Sequence, residues 1–361
     1  MRVKPSQLVS GCILLQDVMG KTAKPIIPKN VTLTDSHITV LQKFLVETVD
    51  ISKTLASGEP FEPGTADDAA QQSLSAQPAE DTFADKYKTA VSDFKQLFKG
   101  WQNHNPIDIT DVRQVLIPLF ESIDHPGRAV FTLHQHALQE DYIYHHSVSV
   151  GILSAYLAKK MGYDKGRWLQ IGLAGALCDC GMARVNDALL QEDRALLNRE
   201  LKDLKQHPVY GYRMVEKLPA LTQDVKVAVL QHHERLDGSG YPLGLKDQTI
   251  HDYARIIAVC DLYHAMTCER SYRERQSPFA AIEQLRHDQY TKLDHHIVKS
   301  FMDNFVNSSA GATVRLSTGQ VGEVVYTDAQ QPARPLVRVN DTGSILPLTD
   351  YPDLSITAMW D

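Results

Sequence analysis

The chain has 361 residues, 43% of them hydrophobic and 22% charged, with a formal net charge of −7. That length leaves room for two or three domains with sizeable cores, and the composition is that of ordinary globular protein. The acidic balance argues against broad, sequence-independent nucleic-acid binding, which needs an excess of Lys and Arg, and no run of roughly eighteen apolar residues offers a membrane span.

Residues 1–54 read as a small N-terminal α/β segment. Short β-like runs, CILL at 12–15 and PIIP at 25–28, lead to TDSHITVLQKFL at 34–45. There Ile38, Leu41, Phe44 and Leu45 fall at helical spacing, and Thr34 is placed to cap the helix. LVSGC, residues 8–12, has the form of a lipoprotein cleavage box. Only MRVKPSQ precedes it, too little for the apolar core of a signal peptide, so Cys12 reads as a buried small residue. The five cysteines, Cys12, Cys178, Cys180, Cys260 and Cys268, form no regular framework. Reduced thiols in the cytoplasm are the expectation.

Residues 55–82, rich in Pro, Ala, Gln, Ser and acidic side chains, read as a flexible linker. From 83 to 306 the pattern is helical almost throughout. In DVRQVLIPLFESI, for example, Val112, Val115, Leu116, Leu119, Phe120 and Ile123 share one helical face. Residues 310–361 change character: VRLSTGQVGEVVY predicts a hairpin about Ser317-Thr318-Gly319, and PLVRV and SILPL follow at strand length. A small all-β module, a barrel or a sandwich, is expected there.

Side chains able to bind metal concentrate in the helical region. His145 and His146 open a helical run, and His207 lies in QHPVYG. Asp179 and Asp261 each end an apolar stretch, IGLAGALCD and RIIAVCD. A carboxylate in such a place is at least partly buried and needs a partner or a metal. His232 and His233 close VKVAVLQHHE just before the turn-rich DGSGYP. Any one of these histidines is more ordinarily a satisfied polar residue; together they suggest the rim of a metal pocket. Imidazole with carboxylate suits iron, manganese, zinc or nickel. Two such metals about 3.5–4 Å apart can activate water and clamp a phosphoryl group, which points to a phosphoester hydrolase. GALCDCGMAR, residues 175–184, is ambiguous by itself: core, metal site or redox pair. Its C-x-C spacing lacks the C-x-x-C arrangement of a redox motif.

HHSVSV, QHPVYG, HHERLDGSGYPLGL and RIIAVCDLYHAMTCERSYR occur in the order and approximate spacing of the HD-GYP family, which residues 125–306 therefore resemble. The resemblance implies a mainly α fold, a helical HD-type bundle carrying the N-terminal α/β segment and the C-terminal all-β module. It implies a phosphodiesterase that cleaves the bacterial second messenger cyclic-di-GMP with two divalent transition metals, iron or manganese first and zinc or nickel next. His146, His207, His232, His233 and Asp261 match the family's metal ligands, and Asp179 matches the metal-bridging, catalytic aspartate of the HD pair. Gly240, Tyr241 and Pro242 match the element that shapes the substrate mouth, and Arg270 and Arg273 match basic residues that hold ligand phosphates.

The sequence departs from the family at several places. Cys178 stands where the HD histidine belongs: either a thiolate there is a further metal ligand, or the side chain points into the core and leaves one metal short of a ligand. Met182 replaces a phosphate-contacting lysine, with Arg184 as a nearby substitute. His264 stands for an aspartate, and Tyr142 for a glutamate that supports a third metal in some members, which leaves a two-metal centre. These departures point to an impaired or atypical enzyme. The alternatives are an inactive receptor or scaffold that binds cyclic-di-GMP or protein partners through the terminal modules, and a phosphohydrolase of another nucleotide. Homodimerisation through the helical region is a further expectation.

Overall fold

The computed structural model describes residues 1–19, 25–34, 37, 38, 41, 46, 48–56, 58, 60, 61, 82–123, 127–186, 197–269 and 275–360. The chain divides into two compact units, Met1–Glu80 and Asp81–Asp361.

In the first unit β1 (Arg2–Val3) pairs antiparallel with a later strand at Val49–Asp50, and β2 (Val18–Met19) pairs with β3 (Pro25–Ile27), which makes Val49–Asp50 β4. Leu14, Leu33, Leu41 and Ile51 are fully buried at its centre, together with Cys12. The cysteine of LVSGC is therefore a core side chain. Thr34 Oγ1 accepts from His37 N at 3.4 Å, the cap expected of it. Phe44, Leu45 and most of the predicted linker lie outside the described residues.

The second unit begins with α1 (Phe83–Gln102), started by a capping box in which Thr82 and Asp85 satisfy each other's backbone N–H. α2 (Ile109–Glu121) is capped by Asp108 and buries Val112, Leu116, Leu119 and Phe120, the face its periodicity predicted. α3 (Tyr142–Lys160) and α4 (Lys165–Leu177) form the centre of the bundle, and α3 is buried from Tyr144 to Ala158. Around them lie α5 (Asn198–Leu204), α6 (His207–Val215), α7 (Gln223–Gln231), α8 (Asp252–Thr267), α9 (Pro278–Asp288) and α10 (His295–Ser309).

The chain closes with five antiparallel strands, β5 (Thr313–Leu316), β6 (Val321–Tyr326), β7 (Leu336–Val339), β8 (Ile345–Pro347) and β9 (Ile356–Trp360). The β5–β6 hairpin turns where predicted, with Gly319 at φ +86°. The strand order β8-β7-β6-β5-β9 leaves β8 and β9 as open edges. The expected barrel or sandwich is thus a single open sheet. The reason is packing: Val314, Leu316, Val324, Val337 and Met359 join one core with the helices, so helices cover the face that a second sheet would cover. Arg128 ties the junction by donating to the carbonyls of Ser308, Ala310 and Gly311.

Candidate metal centre

Five elements deliver the site, one of them α3, which carries His146. Asp179 follows the last turn of buried α4 and enters the 3-10 turn Cys180–Arg184. Gly181 lets that turn lie on the start of α6, because a Cβ there would overlap the His207 carbonyl oxygen and the Gly211 nitrogen. His207 opens α6, His232 and His233 follow α7, and Asp261 faces inward from the middle of α8. Asp179, His207, His232 and His233 bring one donor atom each within 4.8 Å of one another, a group able to hold a metal ion.

The two oxygens of Asp179 face different neighbours. Oδ1 lies 3.1 Å from His207 Nε2 and 3.6 Å from His232 Nε2, and Oδ2 lies 3.4 Å from His146 Nε2. His146 Nε2 is also 3.0 Å from Asp261 Oδ1, and His233 Nδ1 is 3.6 Å from Asp261 Oδ2. Asp179 thus stands between a His207–His232 side and a His146–Asp261 side.

Hydrogen bonds orient the rings. His207 Nδ1 donates to Leu204 O and His232 Nδ1 to Val229 O, both at 2.8 Å. A neutral imidazole carries one N–H, so each Nε2 then presents a lone pair. Those two Nε2 atoms lie 3.3 Å apart. Protons on both would set two imidazolium rings against each other in a buried site; without them, Asp179 Oδ1 is buried with no hydrogen bond. Burial alone would raise the Asp179 and Asp261 carboxyls, but the surrounding imidazoles outweigh it and hold both well below the usual carboxylate range. His233 goes the other way: burial, then the charge of His232, keeps its ring neutral. Two carboxylates buried this deeply call for positive charge beside them. A divalent cation supplies it, and the nitrogen-and-oxygen donor set fits one.

Cys178 is absent from the cluster. Its Sγ donates to Gly175 O at 3.1 Å, one turn back in α4, and the side chain is fully buried. Burial, then the charges of Asp179 and Asp261, push its thiol well above the ordinary value, so it is a protonated core thiol. Cys180 packs against α6, 3.8 Å from Gly211 O. Met182 packs against the hydrophobic core, and Arg184 donates to the Trp101 carbonyl. His264 is 1% exposed, with Nδ1 2.9 Å from His146 Nδ1, so it supports a ring and does not face a ligand. Tyr142 stacks on His146 and places its hydroxyl 3.1 Å from Nδ1. His145 bonds to the Tyr87 hydroxyl at 3.0 Å, apart from the cluster.

The loop after α7 is fastened to the ligand-bearing segment. Tyr241 N donates to His233 O at 3.2 Å, and its ring lies 4.6 Å from the His233 ring. A Cβ on Gly240 would overlap the backbone of His233, Glu234 and Arg235. Pro242 follows through a cis peptide bond. Glu234, 2% exposed, accepts from Leu243 N at 2.7 Å and Leu245 N at 2.9 Å. Sequence reasoning quoted Glu234 but gave it no role; the available signal was an acid placed between two histidines and a glycine-rich turn. Arg270 and Arg273 lie outside the described residues. Two surface grooves, about 440 Å3 beside Arg286 and Arg334 and about 480 Å3 beside Arg184 and Arg199, include none of the cluster.

Comparison with known proteins agrees with this geometry. An HD domain family model matches residues 134–297, a span that contains every cluster residue. A cyclic di-GMP phosphodiesterase of Pseudomonas aeruginosa is 30% identical over 246 residues, 67% of this chain and 58% of that one. The matched region is an HD domain of the HD-GYP type. A 3'3'-cGAMP-specific phosphodiesterase of Vibrio cholerae is 28% identical over 149 residues, 41% of this chain and 32% of that one. Among solved structures, an HDG"Y"P protein of Bdellovibrio bacteriovorus superposes with a TM-score of 0.50 at 16% identity, covering 84% of this chain and 98% of that one, a likeness of fold. The chain spans 58% of the Pseudomonas protein's length and less of the Vibrio one.

Proposed function

We propose that the chain is a metal-dependent phosphodiesterase acting on a cyclic dinucleotide, with cyclic-di-GMP as its substrate. The observation that carries this is the buried, unbonded Oδ1 of Asp179 beside two imidazoles whose Nδ1 atoms are already committed. His207, His232, His233 and Asp179 would hold one divalent cation; His146, Asp261 and the other oxygen of Asp179 would hold a second. Iron and manganese suit these donors best. Such metals, when bound, supply charge neutralisation at the phosphoryl group and a water of lowered pKa.

The chain's own residues do the rest. Backbone carbonyls fix the His207 and His232 rings, and His264 and Tyr142 flank His146 Nδ1. Gly240, Tyr241 and Pro242, held by Glu234, form one wall of the mouth, and Arg270 and Arg273 are assigned to the substrate phosphates. Five buried cysteines, none in a disulfide among the described residues, fit a reducing cytoplasm. Among the described residues, no helix is long and apolar enough to cross a membrane.

A receptor role, binding without turnover, is favoured by one observation: Met182, half-buried against the core, offers phosphate no donor. The test is incubation of the full chain with cyclic-di-GMP and, separately, 3'3'-cGAMP across Mn, Fe and Zn, with product analysis and binding measured in parallel. The proposal expects hydrolysis of cyclic-di-GMP in preference to cGAMP. Binding without product establishes the receptor role, and preference for cGAMP overturns the substrate.

A further inference from the structure

The cluster reaches solvent on one side. The His233 side chain is 18% exposed, against 8% or less for Asp179, Asp261, His146, His207 and His232. A ligand therefore approaches past His233, where the Tyr241 ring lies 4.6 Å away, tilted 32°. Over the Tyr241 ring, 5.2 Å from its centroid, stands the ammonium of Lys205. Lys205 is exposed and precedes His207 by two positions, so the segment that delivers a ring to the centre delivers a cation to its mouth.

Two other cations of the segments that build the centre are committed. Arg184 donates to Trp101 O, and Arg235 Nη1 donates to His232 O and Glu234 O. Among the described residues the Lys205 ammonium meets an aromatic face and no carboxylate. A cation–π contact at an exposed site is weak and readily exchanged for a phosphate oxygen. A lysine suits that exchange: a compact charge on a flexible stem with three N–H donors.

We propose that Lys205 is a phosphate-anchoring residue, its ammonium taking a non-bridging oxygen of the phosphodiester at the mouth of the centre. It supplies there the contact that Met182 does not. The assignment rests on the phosphodiesterase reading, and it adds a binding group beyond Arg270 and Arg273.

The test compares Lys205→Met, Lys205→Gln and Lys205→Arg with the wild type in the full, metal-loaded chain. Two probes are used: cyclic-di-GMP and the simple diester bis(p-nitrophenyl) phosphate. Loss of one charge-assisted hydrogen bond predicts a rise of about tenfold in KM for both probes in Lys205→Met and Lys205→Gln. Change in kcat should be smaller, salt dependence shallower, and metal content unaltered. Lys205→Arg should stay within about threefold of wild type. Equal KM in wild type and Lys205→Met overturns the assignment, as does an equal loss in Lys205→Arg, which keeps the charge. A wild type that ignores cyclic-di-GMP yet cleaves the simple diester in a Lys205-dependent way leaves Lys205 in place and removes the cyclic dinucleotide. A metal-loaded wild type with no affinity for either probe overturns both.

Discussion

His207 and His232 turn their Nε2 atoms to within 3.3 Å of each other, while each ring donates its Nδ1 proton to a carbonyl three residues back. Two lone pairs aimed at one carboxylate oxygen make a poor polar core and a good cation site. Protein purified without chelator should therefore carry a divalent transition metal, read by elemental analysis. Asp179→Ala and His207→Ala should each lower the metal content at least tenfold. Metal-free wild type recovered after growth with added iron and manganese would contradict the assignment.

Cys178 is expected to matter for packing and not for metal. Its thiol donates to Gly175 O within its own helix. Cys178→Ala should leave metal stoichiometry unchanged and reduce stability by about 1–2 kcal/mol in denaturant titration. Loss of metal in this variant would show that the sulfur is a ligand after all.

Glu234 couples the paired histidines to the loop that follows them through its bonds to Leu243 N and Leu245 N. Glu234→Gln keeps one acceptor and turns an NH2 toward a backbone N–H. A buried mismatch of this kind costs about 1–3 kcal/mol. KM should rise about tenfold with metal content preserved. An unchanged KM would show that the loop holds its shape without this clamp.

A pH effect on stability should come from His134. Burial first, then the charges of Arg275 and His136, lower its pKa to about 4, and its Nδ1 is buried without a partner. The unfolded chain takes up this proton near pH 6.5 and the folded chain does not, so stability is fully present above about 6.5 and is lost as pH falls toward about 4. Between pH 7 and pH 5 that amounts to about 2 kcal/mol. In His134→Leu, denaturant titrations at the two pH values should differ by correspondingly less than in wild type; an equal difference would assign the pH effect elsewhere.

The helices were legible where periodicity and caps coincide: Asp108 with Val112 to Phe120, and Thr34 ahead of His37. The hairpin at Gly319 was legible from the turn residues. The form of the C-terminal sheet was not, because alternation marks an inward face without saying what covers it, and helices cover this one. At the site, sequence gave residue types and order, and the fold brought Asp179, His207, His232 and His233 together from three separate elements. What Cys178 and His264 face was hidden: Cys178 turns to Gly175 O within its own helix, and His264 is set by a ring 118 positions away. Lys205 carried no signal, because an exposed lysine beside a histidine is common until Tyr241 is seen beneath it.

Product analysis after incubating metal-loaded protein with cyclic-di-GMP, wild type beside Asp179→Ala, tests the central claim most directly. The metal-dependent phosphodiesterase proposed here gives linear dinucleotide or GMP with the wild type and none with Asp179→Ala. Turnover that survives Asp179→Ala, or a wild type that holds metal and the dinucleotide yet releases no product, contradicts it.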